Sequence, residues 1–270
     1  MDLKRALSSE LTKKEISFLK TSFDIIGDIA ILEIPGELSK KEKLIAKTLQ
    51  KIHPNIKTVY KKSGERTGVY RLRKIKKIVG DGPITIHKES GCQFKIDIEK
   101  SYFSVRESTE RHRISEKVKP KEKVLIPFSG IGPFGIITAK KHPDCFVDMV
   151  EINPMACEYA EENIRINKVS GTVKNYCGDF KEVSPTLGKY KRIVMPLPET
   201  AYKYIEDVLE NNSKKGTVIH IYCIGGEEGG DYEKTINSLI KKKKIKLLEK
   251  RKVLPYAPGV WKYCLELRVL

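Results

Sequence analysis

The chain has 270 residues, 40% hydrophobic and 32% charged: enough apolar content to bury a core, and too mixed in sign for wholesale disorder. Its 52 Lys and Arg outnumber 35 Asp and Glu for a net charge of +17, which argues against an enzyme of small anionic metabolites and for a polyphosphate partner, since each neutralised phosphate releases counterions. No window approaches 18 uncharged apolar residues, and the opening MDLKRALSSELTKKE lacks an apolar stretch, so the expectation is a cytoplasmic protein with no membrane segment.

In chain order, residues 11–20 read as a short helix, and Phe23 to Pro35 as two β segments around the turn pair Gly27-Asp28. Residues 39–52 predict a helix with Ser39 as its N-cap and Leu44, Ile45, Leu49 and Ile52 on its apolar face. A strand over Val59 to Lys62 follows, then the polar SGERTG, then YRLRKIKKIVG and a hairpin made of ITIHKESG and QFKIDI. Residues 1–98 thus form a small α+β unit with a basic surface. From 99 to 270 strand and helix patterns alternate: VLIPF, FGIITAKK, CFVDMVEI, PMACEYAEENIRINK, TVKNYCGDF, RIVMPL, AYKYIEDVLEN, TVIHIYCI, YEKTINSLIKKKK. That rhythm predicts an α/β domain with a parallel, doubly wound, Rossmann-like sheet. WKYCLELRVL alternates as a last strand, and KKKKIK at 241–246 reads as the solvated end of a helix with phosphate contact as the lesser alternative.

Cysteines at 92, 145, 157, 177, 223 and 264 form no CxxC pair and no zinc spacing, so no metal is expected. The strand VLIPF runs straight into Ser129-Gly130-Ile131-Gly132, where glycines permit a tight turn and close approach of backbone to a ligand. The next strand ends in Glu151, about 20 residues on, where an acid holds ribose hydroxyls. The third is followed by Gly178-Asp179-Phe180, and an acid there receives an adenine amino group. Either acid alone is equally well read as a helix cap. GIGPFG also satisfies a dinucleotide fingerprint, but Pro133 sits inside the turn and no hydride-transfer apparatus is visible.

At YFSVRESTERHRI (102–114), FSGIGPFGI (128–136), VEINPMACEYAEENIRINKV (150–169), GDF (178–180) and MPLPETA (195–201), and upstream at TIHKESGCQFKIDI, the chain resembles the archaeal/eukaryal tRNA (guanine-37-N1)-methyltransferase family, over about residues 20–270. The resemblance implies S-adenosylmethionine (SAM) as cofactor, the anticodon loop of tRNA as partner, and a monomer. It implies that Tyr102, Arg106, Phe128, Ser129, Gly130, Ile131, Gly132, Glu151, Ile152, Asp179, Phe180 and Pro196 line the cofactor site. It assigns Glu110 as general base, Arg71 (or Arg73) as the catalytic arginine, and Pro198 as the proline beside the target base. The family's extra N-terminal tRNA-elbow domain is expected to be lacking. Ile126 stands where the family usually has an acid, and Pro196 where it has Asn.

The chemistry fits those roles. Guanine N1 is protonated at neutral pH and a poor nucleophile, so methylation needs a carboxylate at N1 and a cation near O6. Without the resemblance, Glu110 reads as a surface helix carboxylate paired with Arg106 or Arg113, and Arg71 as one more member of a basic strand. Two rival functions stand beside this one. The first is a wybutosine-pathway enzyme that transfers the 3-amino-3-carboxypropyl group of SAM to modified guanosine 37, which the ending PYAPGVWKYCLELRVL also resembles. The second is a non-enzymatic RNA-binding protein on a degenerate transferase fold.

Overall fold

The computed structural model describes residues 2–227 and 229–270, leaving aside the side chains of 65–67. Two compact units emerge: Met1–Glu89 with Gln93–Val105, and Ser90–Cys92 with Arg106–Leu270. The division falls after Val105 rather than at 98/99, because Phe103 packs on Phe94 and His87, with ring centroids 6.2 and 5.2 Å away.

The first unit begins with α1 (Leu3–Ala6) and α2 (Lys13–Phe18), the latter opened by a reciprocal Thr12/Glu15 capping box. The hairpin of β1 (Phe23–Ile26) and β2 (Ile29–Leu32) turns at Gly27, whose φ of +57° suits a residue without a Cβ. Helix α3 (Glu42–Ile52) carries the chain over to β3 (Thr58–Thr67), which lies parallel to β2 and antiparallel to β4 (Leu72–Val79). A two-stranded pair, β5 (Ile84–Glu89) and β6 (Cys92–Asp97), follows. The side chains of Ile45, Ala46 and Leu49 bury the apolar stripe of α3. Two expectations need correction. Ser39 is not an N-cap: residues Gly36–Lys41 form a 3-10 turn anchored by buried Leu38, and α3 starts only at Glu42. The strand expected over Val59 to Lys62 is longer: β3 runs on through the polar SGERTG to Thr67, and the turn comes at 68–71. There the backbone ladder with β4 outweighs the weak strand propensity of the side chains.

The second unit opens with α4 (Ser108–Lys117) and β7 (Lys123–Pro127). There follow α5 (Pro133–Lys141), β8 (Phe146–Glu151), α6 (Pro154–Ile166), β9 (Val173–Cys177), α7 (Phe180–Val183), β10 (Arg192–Met195), α8 (Ile205–Asp207), β11 (Val218–Gly225), α9 (Tyr232–Lys241), β12 (Ile245–Ala257) and β13 (Val260–Val269). The sheet order is β12-β13-β11-β10-β7-β8-β9, parallel from β9 to β11 and antiparallel at β13 and β12. This is the Rossmann-like class the alternating pattern predicted. Every residue of β10 is buried, as is all of β7 except Lys123, because helices cover both faces of a parallel sheet. Each fully buried aliphatic side chain contributes about 1.5–3 kcal/mol. Successive connections run outward in opposite directions from β7 and β10, so the crevice beyond their carboxyl ends is the topological switch point where such sheets bind ligands. Strand β12 was not read from the sequence.

Candidate active site

β7 ends in a turn with three left-handed residues, Phe128 (φ +60°), Gly130 (+57°) and Gly132 (+87°). For a bulky side chain this conformation costs about 1–3 kcal/mol, and such strain gathers at functional turns. The Phe128 ring rests on Tyr204 and Phe180, with centroids 4.9 and 5.5 Å away. Gly132 precedes Pro133, the first residue of α5, and Gly135 lies so close to β8 that a Cβ there would sit 2.4 Å from Met149 Sδ.

Successive loop residues are tied down. Ser129 N–H donates to the Val150 carbonyl (3.0 Å), Gly130 N–H to Glu151 Oε2 (2.7 Å), and Asn163 Nδ2 to the Ile131 carbonyl (3.2 Å). Glu151 Oε1 accepts the Asn153 N–H at 2.8 Å. Burial pushes the Glu151 carboxyl above its usual range, while the backbone N–H groups of Asn153, Gly130 and Ile152 pull it back. A carboxylate has about four acceptor positions, so after these three donors one remains for a hydroxyl. Half-buried Asp179 caps α7, its Oδ1 accepting the Lys181 N–H at 2.8 Å, beside buried Phe180. Both readings of that acid are therefore compatible with its place at the strand end.

Across the switch point, β10 ends in Met195-Pro196-Leu197-Pro198. The Leu197 carbonyl accepts from Ala201 N–H (2.8 Å) and Thr200 N–H (3.3 Å), which folds the loop back into a 3-10 turn over Ala201–Tyr204. Pro198 is buried and Pro196 half-buried. Neither has an N–H, so the loop offers only carbonyl acceptors at these places. Ile126, where an acid was expected, is a fully buried core residue of β7.

Glu110 is not a solvated carboxylate: it is 5% exposed. Its ion pair with Arg113 at i,i+3 spacing is bidentate, Nε to Oε2 at 2.8 Å and Nη2 to Oε1 at 2.6 Å, and Tyr222 Oη donates to Oε1 at 2.7 Å. Tyr222 lies on β11, and burial holds its phenol well above the usual range. Arg113 Nη2 also reaches Cys264 Sγ at 3.5 Å, a thiol that burial pushes up to about 12. Lys262, 2% exposed, pairs with Glu107 at 2.9 Å and stands 4.5 Å over the Tyr222 ring. Oε1 thus receives two of these donors and Oε2 one, which leaves Oε2 the less engaged oxygen.

In the first unit, Arg71 (φ +54°) sits in the turn between β3 and β4, and its guanidinium lies 5.1 Å from the centroid of the Tyr102 ring. Two residues expected at one site thus meet. Exposed Arg106 borders a cavity of about 420 Å³ shared with Tyr256 and Trp261. The sequence reading missed Tyr222, Tyr204 and Asn163. Asn163 had a signal: it falls with Ala156, Cys157 and Ala160 on the buried stripe of α6, where a polar side chain needs a partner. Among the described residues no group of three His, Cys, Asp or Glu side chains is placed to share an ion, and no helix is long and apolar enough to cross a membrane.

The TRM5/TYW2 methyltransferase domain matches residues 85–249, and the TYW2 N-terminal domain matches residues 3–83. The chain is 40% identical over 257 residues to the tRNA (guanine(37)-N(1))-methyltransferase Trm5b of Pyrococcus abyssi, covering 93% of this chain and 76% of that one. It is 29% identical to a tRNA(Phe) (4-demethylwyosine(37)-C(7)) aminocarboxypropyltransferase of Pyrococcus horikoshii, covering 99% and 96%. A solved complex of aTrm5 with tRNALeu superposes with a TM-score of 0.88 at 33% identity, over 100% of this chain and 78% of that one. With a glycine turn and an acidic strand end joined at the switch point, the chain belongs to the TRM5/TYW2 methyltransferase family.

Proposed function

We propose that this protein is a SAM-dependent methyltransferase acting on N1 of guanine 37 in tRNA. The observation that carries the reading is the bond between Gly130 N–H and Glu151 at the carboxyl edge of β7 and β8. It forms a built corner with one acceptor position left on a desolvated carboxylate, which suits a ribose hydroxyl. The Phe128, Phe180 and Tyr204 rings supply apolar faces for the adenine, with Asp179 beside them. Ser129, Ile131, Gly132 and Ile152 shape the backbone of the corner. The cofactor, when bound, supplies a methyl group activated by a sulfonium.

Glu110 Oε2 takes the N1 proton of the target guanine; the charge this leaves on O6 calls for a cation, the role the family resemblance gives to Arg71, whose guanidinium rests on Tyr102 within the first unit. Arg113 and Tyr222 fix the carboxylate so that it need not reorganise as the proton moves. Pro198 stiffens the loop beside the base, and a single-stranded anticodon loop can splay that base outward. The identity to Trm5b and the +17 charge support tRNA methylation.

The aminocarboxypropyl transfer remains the second reading. It is favoured by the match of residues 3–83 to the TYW2 N-terminal domain and by the 29% identity to the Pyrococcus horikoshii aminocarboxypropyltransferase. It would use the same corner and present a different carbon of the cofactor. Incubation with SAM and a tRNA transcript separates the two: S-adenosylhomocysteine as by-product is expected, and methylthioadenosine would assign the second reading.

A further inference from the structure

Strand β12 is the outer edge of the seven-stranded sheet and the longest strand of the protein, 13 residues from Ile245 to Ala257. Residues 241–252 carry eight Lys or Arg and one acid, Glu249: Lys241 ends α9, Lys242, Lys243 and Lys244 lie in the turn after it, and Lys246, Lys250, Arg251 and Lys252 lie on β12. All eight basic residues are exposed. Lysines on an edge strand ordinarily guard its unpaired N–H and C=O groups against aggregation. That role needs one or two charges and does not account for aromatic rings at the end of the row. Leu247 and Leu248 are 39% and 38% exposed along it. At its far end, Tyr256 (46% exposed), Trp261 and Arg106 border the 420 Å³ cavity, and Lys252 Nζ stands 4.8 Å over the Trp261 ring.

One side of the cavity is tied to the loop after β10. Tyr256 Oη donates to Glu199 Oε1 at 2.7 Å, and Glu199 follows Pro198 in the loop after β10. Arg106 lies four residues before Glu110. A file of cations ending in stacked aromatic and guanidinium surfaces is how proteins hold an unpaired nucleic-acid strand: phosphates track the cations and bases stack on the rings. A protein partner would want an apolar face here, and a stretch leading into the edge with seven net positive charges in 12 residues repels a second copy of itself.

We propose that β12 and the Arg106–Tyr256–Trp261 cavity form a second RNA subsite, which holds an unpaired strand of the substrate next to the target nucleotide. The subsite rests on the reading that the substrate is RNA, and it adds strand capture at a place outside the cofactor corner. The cavity takes a base with its sugar, and the row from Lys241 to Lys252 takes the phosphates that lead away from it.

Two variants test this with an unmodified anticodon stem-loop RNA and a full tRNA transcript as probes. Lys246→Gln/Arg251→Gln/Lys252→Gln changes only exposed side chains, so folding is not at risk. Its expected outcome is RNA affinity weaker by about tenfold or more, and a log-affinity against log-salt slope shallower by about two, since each lost phosphate contact on a single strand removes about 0.7. Trp261→Ala is expected to weaken binding by about fivefold or more with the slope unchanged, as loss of stacking does. SAM affinity by calorimetry should stay within twofold of the parent in both. RNA affinity and salt slope unchanged in the triple variant would overturn the proposal. So would a self-associating parent that the triple variant turns monomeric without touching RNA binding. If the parent binds RNA through β12 yet modifies no guanine, the subsite survives and the catalytic reading falls.

Discussion

The two ends of the large sheet present opposite chemistries. Where β7 and β8 end, backbone and side chains are tied together, Gly130 on Glu151 and Asn163 on Ile131, and against β11 buried Glu110 sits between Arg113 and Tyr222. At the β12 edge the cations are exposed and spaced along a strand. The first arrangement gives fixed geometry in a low dielectric, which suits the proton acceptor proposed for it. The second gives reach and tolerance, where a flexible polyanion must be caught. Mutations at the buried end should therefore act on turnover and cofactor affinity with little salt dependence, and those at the edge on RNA affinity with strong salt dependence.

The largest expected effect is at Glu110. Glu110→Gln keeps the side-chain shape and removes the base, so kcat should fall about 10²- to 10⁴-fold while SAM affinity stays unchanged. Retained turnover would break the buried half of the comparison. Glu151→Ala should weaken SAM binding by about 2–4 kcal/mol in calorimetry, through loss of a charge-assisted acceptor that also braces Gly130. An equal loss of RNA affinity in that variant would mean the two ends are not separate.

An intermediate effect follows from His220, fully buried on β11, where Arg192 Nη1 lies 2.6 Å from its Nε2. Burial, with Arg192 adding to it, holds this imidazole well below its usual range. The unfolded chain therefore binds a proton near pH 6.5 that the folded protein refuses, and stability is lost as pH falls below about 6.5. The slope should reach at most about 1.4 kcal/mol per pH unit. Thermal melts from pH 7.5 to 5 should show it, and His220→Gln should flatten it. The smallest effect is at Tyr222: Tyr222→Phe removes one donor to Glu110 and should lower kcat about fivefold, about 1 kcal/mol, with the KM for SAM unchanged.

The parallel half of the sheet was legible because strands buried on both faces become apolar runs, as in VLIP of β7 and IVM of β10. The glycine turn and Glu151 were legible because their chemistry leaves a spacing. The partners of Glu110 were only half so. Arg113 announced itself by helical spacing, whereas Tyr222 lies 112 residues away in an apolar strand and meets Glu110 only through the fold. β12 was hidden for a different reason. As an exposed edge it has no buried face to impose alternation, and its Lys-rich row reads as solvated surface. SGERTG was hidden likewise, its strand held by pairing with β4 rather than by side-chain preference.

The central claim is methyl transfer to one atom of one base. Its most direct measurement is mass spectrometry of the nucleosides and of position-specific fragments from a tRNA transcript incubated with the protein and SAM. The account predicts 1-methylguanosine confined to the fragment containing position 37, and none when that guanosine is replaced by adenosine. A guanosine carrying an aminocarboxypropyl group, or a methyl group at any other position, would contradict it.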